Sequence, residues 1–316
     1  MIKRTLYFGN PAYLSMKNKQ LVIKNPEVET NDLLPESFKT GSVKTIPVED
    51  IGVIVLDNGQ ITITHGLMEA LLINNCALIT CDSNRMPLGL HLPLSGNTLQ
   101  SERFTAQIEA SLPLKKQLWQ QTIQAKIANQ AHVLGTVRSI VVKNMLAWVG
   151  QVKSGDSENL EGRAAAYYWD NMFPTIEGFR RGREEIPPNN LLNYGYAVLR
   201  AIIARSLVAS GLLPTLGIHH RNRYNAYCLA DDIMEPYRPF VDKLVVEIVD
   251  DKMNFNELSK DVKTKLLSIP VLNVIINGQC SPLMIAAGQT TASLAKCYLG
   301  EIRKIEYPVF NRKCLS

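Results

Sequence analysis

From residue 1 to about 95 the hydrophobic pattern is short and extended. Residues 51–56 (IGVIVL) and 61–64 (ITIT) are β-branched runs, and the intervening Asp57-Asn58-Gly59-Gln60 offers an Asn-Gly pair for the positive-φ positions of a tight turn. The pattern predicts a β-hairpin there. Residues 65–75 (HGLMEALLINN) carry helical spacing, and 77–80 reads as another strand ahead of turn residues at 82–84 and Pro87. A small β-rich domain with one helix is expected over residues 1–95.

The pattern changes at Ser95-Gly96-Asn97-Thr98, so residues 96–100 are the expected linker. Helical periodicity then dominates residues 101–306, with segments at 102–110, 114–135, 136–149, 157–171 and 191–210. Gly155-Asp156 can start and cap the fourth of these, while Gly211 and Pro214 close the fifth. A further helix begins near Asp231 or Asp232, after a strand-like run at 226–229, and takes Pro236 and Pro239 in its early turns, where a missing amide donor costs least. Residues 307–316 are expected to form a loosely held tail. The fold class is therefore α+β, a small β-rich N-terminal domain followed by a larger all-α catalytic domain.

Composition narrows the class without choosing a function. A chain of 316 residues, 46% hydrophobic and 20% charged, is ordinary for a soluble protein of two domains. No run approaches the roughly 18 uninterrupted apolar residues of a membrane span. The start, MIKRTLYFGNPAYLS, lacks a secretory h-region, so a prokaryotic cytoplasmic location is expected. The six cysteines show no CxxC spacing and are assigned no chemistry. A net charge of +5 permits a polyanionic partner without demanding one. No GxxxxGK[ST] loop is present to bind a nucleoside triphosphate.

Chemistry-bearing residues concentrate in two stretches. In TLGIHHRNRYNAYCLADDIMEPYR (215–238), Asp232 and Glu235 stand three apart and would share one helix face, with Glu235 fifteen residues from His220. In NLEGRAAAYYW (159–169), Glu161 lies near a helix start and is followed by small Ala164, Ala165 and Ala166. Each feature has a plainer explanation. The acidic residues suit a helix N-terminus, the histidines can be hydrogen-bonded structural groups, and Arg180, Arg181, Arg183, Arg221 and Arg223 can be a solvated face.

The combined order of these stretches resembles the Cas1 family, the integrase of CRISPR adaptation. The resemblance rests on NLEGRAAAYYW, on LLNYGYAVLRAIIARSLVASGLLPTLGIHHRNRYNAYCLADDIMEPYRPFVD (191–242) and on KIANQ (126–130). GIHH followed by LADDIMEPYRPFVD is most similar to the short members that accompany Cas9 in type II systems. The resemblance implies one divalent ion, Mg²⁺ or Mn²⁺, held by Glu161, His220 and Glu235. Asp232 and His219 then serve as neighbours that support the ligands or contact phosphate. Two carboxylates and an imidazole suit such an ion and leave coordination positions for substrate. The implied reaction joins the 3′-OH ends of a prespacer DNA duplex to phosphodiesters at the CRISPR repeat boundary, and water in place of the hydroxyl would give endonuclease activity. The implied partners are DNA, a second copy of the chain forming a homodimer through residues 1–95, a Cas2 dimer bridging two such dimers into a heterohexamer, and Cas9. Arg180, Arg181, Arg183, Arg221 and Arg223 are the candidate DNA contacts. The alternatives are a stand-alone metal-dependent nuclease or transposase-like integrase, and a non-catalytic DNA-binding scaffold.

Overall fold

The computed structural model describes residues 3–182 and 185–310. The chain divides into two compact units, Met1–Leu94 and Ser95–Ser316. The first contains strands β1 (Arg4–Phe8), β2 (Ala12–Lys17), β3 (Gln20–Lys24), β4 (Lys44–Pro47), β5 (Ile51–Leu56), β6 (Ile61–Ile63), β7 (Ala77–Cys81) and β8 (Pro87–His91). They form two four-stranded sheets, ordered β1-β5-β7-β8 and β4-β3-β2-β6. Helix α3 (His65–Ile73) follows the helical spacing of the sequence, but α1 (Pro26–Glu29) and α2 (Glu36–Ser42) do not show in the hydrophobic pattern. Neither α1 nor α2 buries a residue, so no apolar stripe marks them.

The hairpin expected between residues 51–56 and 61–64 does not form. β5 pairs in parallel with β1 on one edge and with β7 on the other, leaving no edge for β6. β6 instead joins the second sheet, parallel to β2. The continuous apolar run of β5 fits this central place, with Ile51 to Val55 all buried. The link between them is fixed by side chains. Asp57 accepts the Tyr7 hydroxyl at 2.5 Å, and the Asn58 side-chain Oδ1 accepts the Gln60 amide at 2.8 Å. Leu14, Leu21, Ile54, Leu67 and Leu71 form the core beneath.

The second unit is helical: α4 (Gln100–Glu109), α5 (Leu112–Val137), α6 (Lys143–Gln151), α7 (Leu160–Met172), α8 (Asn189–Ala209), α9 (Cys228–Met234), α10 (Arg238–Asp250), α11 (Lys260–Leu266) and α12 (Leu283–Tyr298). It is not purely so. Strands β9 (Asn273–Ile276) and β10 (Gln279–Pro282) form a hairpin around Asn277 and Gly278, both at positive φ. This Asn-Gly pair makes the two-residue turn that the pair at 58 and 59 does not. Residues 226–229, read as strand-like, are a turn running into α9. One 3₁₀ turn, Glu235–Tyr237, separates α9 from α10, and Pro236 and Pro239 each sit in a first turn.

α8 is long and apolar enough to cross a membrane by composition, yet 78% of its most apolar window is buried within the structure, as in a core helix. Of the expected loose tail at 307–316, residues 307–310 are tied down, and 311–316 lie outside the described residues. The Tyr307 hydroxyl meets Thr122 at 2.8 Å, Asn129 donates to the Pro308 carbonyl at 2.9 Å, and Val309 bridges to Ile275.

Candidate functional site

The site is built on α5, a 26-residue helix capped by Ser111, whose hydroxyl accepts the Leu114 amide. Its buried stripe runs through Leu118, Trp119, Ile123, Ile127 and Val133, and Lys126 interrupts this stripe with a charge. Lys126 lies on a face meant for apolar side chains, so its ammonium needs anionic partners. It has two: Nζ is 2.6 Å from Glu161 Oε1 and 2.6 Å from Glu235 Oε2. Burial works against the lysine's charge, but Glu235 and Glu161 outweigh it and hold its pKa above the ordinary value.

Glu161 reaches this point from the first turn of α7. Asp156 accepts the Leu160 and Glu161 amides at 2.9 and 3.0 Å, and the Asn159 side chain, on a left-handed residue, accepts the Gly162 amide. Glu161 therefore does not serve as the cap of its own helix. Glu235 reaches it from the 3₁₀ turn and is also held by Arg238, whose Nε lies 2.9 Å from Oε1. Burial alone would raise the pKa of Glu235, but Arg238 and Lys126 reverse this and keep it below the usual glutamate value. Beside these groups is a cavity of about 160 Å³ whose lining includes Lys126, Gln130, Arg181, Tyr196 and Arg238.

The histidine pair is organised by Asp232 and Trp119. Asp232 is fully buried on α9 and accepts the His219 amide at 2.9 Å and the His220 amide at 3.4 Å. It also takes a short contact from His220 Nδ1. That hydrogen bond is the largest influence on His220 and raises its pKa. The His219 ring stacks on Trp119, with centroids 4.3 Å apart, while His220 meets the same indole edge-on. The two neighbouring rings thus have different partners. Gly217 is required for this turn, because a Cβ there would come within 2.4 Å of the His220 carbonyl and 2.8 Å of Asp232 Oδ2. Asp231 faces elsewhere, in a two-point pair with Arg200 at 2.6 and 3.1 Å.

The arginines separate into classes. Arg221 and Arg223 are exposed and line a cleft of about 490 Å³ together with Lys115, Asn222 and His220. Arg180 is exposed, and Arg183 lies outside the described residues. Arg181 is not the solvated side chain its charge suggests. It donates to the Gly182 carbonyl at 2.7 Å and to Asn189 and Asn193 at 2.9 Å, and lies over the Tyr196 ring.

The structure thus brings Glu161 and Glu235 onto one cation and His220 onto Asp232. Among the described residues, no three His, Cys, Asp or Glu side chains are gathered as a metal-ligand set. The donor chemistry still suits a divalent ion. Two carboxylates converge on a bound positive charge, and a histidine held through one ring nitrogen by a buried carboxylate is the usual support of a ligating imidazole. Lys126, Trp119 and Arg238 are members of this site that sequence reasoning did not single out, although a lysine on the apolar face of α5, opening KIANQ, was a readable signal for the first.

A family model described as CRISPR associated protein Cas1 matches residues 6–269. The CRISPR-associated endonuclease Cas1 of Neisseria meningitidis serogroup C (strain 8013) is 35% identical over 294 residues, spanning 93% of this chain and 91% of that protein. Among solved structures, a casposase bound to integration product superposes with a TM-score of 0.75 at 19% identity, over 96% of this chain and 92% of that one. A chain of a Cas6-RT-Cas1–Cas2 complex superposes with a TM-score of 0.69 at 20% identity, over 96% of this chain and 36% of its own length. At these identities the two structures establish the shared fold, a β-rich N-terminal region followed by a mostly helical part.

Proposed function

This chain belongs to the Cas1 family of CRISPR-associated proteins, and from that membership we propose that it is a divalent-metal-dependent DNA integrase and endonuclease of CRISPR adaptation. The observation that carries the proposal is the convergence of Glu161 and Glu235 on one cation, 2.6 Å from each. Glu161, Glu235 and His220 would hold Mg²⁺ or Mn²⁺. When bound, the ion would supply Lewis acidity toward a phosphodiester oxygen and an attacking hydroxyl.

The chain's own residues account for the remaining requirements. Asp232 fixes the His220 ring through Nδ1 and so reserves the other nitrogen for ligation. Arg221, Arg223 and Lys115 present positive charge in the cleft beside His220, where the phosphates of a DNA strand would be neutralised. Arg238 holds one oxygen of Glu235 and so orients the carboxylate. Exchanging one phosphodiester for another conserves bond energy, so the reaction needs no nucleotide hydrolysis, in keeping with a chain that carries no P-loop motif.

Insertion at both ends of a repeat needs two such sites at a fixed separation. A homodimer paired through residues 1–95, with a Cas2 dimer joining two copies into a heterohexamer, meets that need. A solved neighbour that contains both Cas1 and Cas2 supports the Cas2 partnership. The 35% identity to the meningococcal protein supports placing the chain among the endonucleases, and a type II system with Cas9 and action on DNA in the prokaryotic cytoplasm complete the reading. Strand transfer of a short duplex into a plasmid carrying the native repeat, with Cas2 and Mn²⁺ or Mg²⁺, tests it. Glu161→Ala should abolish transfer and leave DNA binding intact, and retained transfer by that variant would overturn the assignment.

A further inference from the structure

We propose that Lys126 is a tethered cation that shares the Glu161–Glu235 cradle with the divalent ion in alternation, and that Gln130 receives its ammonium when the ion binds. The inference rests on the metal reading given above. Lys126 is in this sense a positioning residue and takes no part in the chemical step.

Lys126 Nζ is within 2.6 Å of both carboxylates, and its side chain is only 10% exposed. A divalent ion bound to the same oxygens would stand about 2.0 to 2.6 Å from them. An ammonium and a divalent ion cannot both occupy that space, and their mutual repulsion at such separations is strong in a buried site. The two cations are therefore mutually exclusive occupants of one cradle. Arg238 is not an equivalent competitor, because its Nε approaches the other oxygen of Glu235.

A displaced ammonium needs an acceptor, and a second, independent observation supplies one. Gln130 stands four residues beyond Lys126 on α5, hence on the same face. It is 3% exposed, and its side-chain oxygen is buried without a hydrogen-bond partner. A buried orphan acceptor is costly unless some state of the protein uses it. Lys126 and Gln130 line the same cavity of about 160 Å³, which leaves room for a side-chain swing between the carboxylates and this oxygen. In this arrangement Lys126 keeps the two glutamates together until an ion arrives, and the ion must out-compete it. Weak monovalent ions would fail to do so.

Calorimetric titration of the full chain with Mn²⁺ alone tests the proposal. If the ammonium holds the cradle about nine-tenths of the time, Lys126→Gln should bind Mn²⁺ roughly tenfold more tightly than the parent, since only the open fraction of the parent is competent. Gln130→Met removes the receiving oxygen and should bind it several-fold more weakly. In the unmodified chain, acylation of the Lys126 amine, read by mass spectrometry, should speed up several-fold when Mn²⁺ is added. This last measurement needs no variant to fold. A purely structural lysine predicts lower stability in Lys126→Gln with unchanged or weaker Mn²⁺ affinity, and that result, or an unchanged labelling rate, overturns the exchange. Unaltered affinity in Gln130→Met overturns the role of Gln130. Should neither the parent nor Lys126→Gln take up Mn²⁺, the metal reading itself fails and the exchange falls with it, whereas Mn²⁺ uptake by the parent without tightening in Lys126→Gln removes the exchange alone.

Discussion

Replacing Arg221 and Arg223 together with glutamine should weaken DNA binding in a way that salt reveals. Both side chains are exposed and border the cleft that also contains His220 and Lys115. Each arginine that neutralises a duplex phosphate contributes about 0.9 to the slope of log affinity against log salt, so the pair contributes about 1.8. Raising the salt from about 50 to 200 mM spans roughly 0.6 log units, and the parent should lose about tenfold more affinity over that range than the double variant. The effect should be alike on unrelated sequences, because phosphate contacts carry no base information. Fluorescence anisotropy with two unrelated duplexes, titrated at several salt concentrations, measures it. Arg181→Gln is the counter-case. Its guanidinium is already committed to Gly182, Asn189, Asn193 and the Tyr196 ring, so its loss should lower thermal stability and leave the slope unchanged. An unchanged slope in the double variant, or an equal fall in Arg181→Gln, would refute this division of the arginines.

Asp232→Asn should cost strand transfer roughly 10- to 100-fold, because an amide cannot serve all three donors that Asp232 now serves and releases the His220 ring. His219→Ala should uncover Trp119 and reduce stability by about 1 kcal/mol with transfer nearly intact, and a folded His219→Ala protein as inactive as His220→Ala would show that the roles are reversed. Asp242, whose pKa is pushed up to about 6 by burial against the opposing hydrogen bonds of Tyr196 and Tyr168, sets a pH dependence of stability. A carboxyl that holds its proton more tightly when folded favours the fold fully below its unfolded pKa of about 3.9, and this benefit disappears as pH rises through about 6. Its contribution should therefore fall by about 2 kcal/mol between pH 4 and 7. Urea denaturation across that range should show a flatter profile for Asp242→Asn, and identical profiles would remove Asp242 as the cause.

Helices of the second unit were legible where a wide apolar stripe met a strong stop, as in α8 before Gly211. The sheets were legible as strands but not as pairings. Asn58-Gly59 carries the same turn signal as Asn277-Gly278, yet only the latter closes a hairpin. The difference is non-local, since β1 and β7 claim both edges of β5 and local turn chemistry has no account of that competition. A related limit applied to charge. Arg181 and Arg221 look alike in sequence, and only folding gives Arg181 the Gly182 carbonyl, the Asn189 and Asn193 side-chain oxygens and the Tyr196 ring while leaving Arg221 exposed.

The same limit holds at the buried lysine. Glu161 and Glu235 are each explicable alone as acidic residues early in a helical segment, and nothing in their spacing requires them to meet. Lys126 lies 35 residues before Glu161, and the ion pairs that bring the three together exist only once α5, α7 and the turn after α9 have packed. Before that packing, a charge on the apolar face of α5 reads as an error of patterning. After it, the misplaced charge marks where the fold concentrates negative potential. A local conflict in an otherwise consistent helix is thus the sequence feature most worth pursuing to a site, since a chain tolerates such a conflict where function requires it.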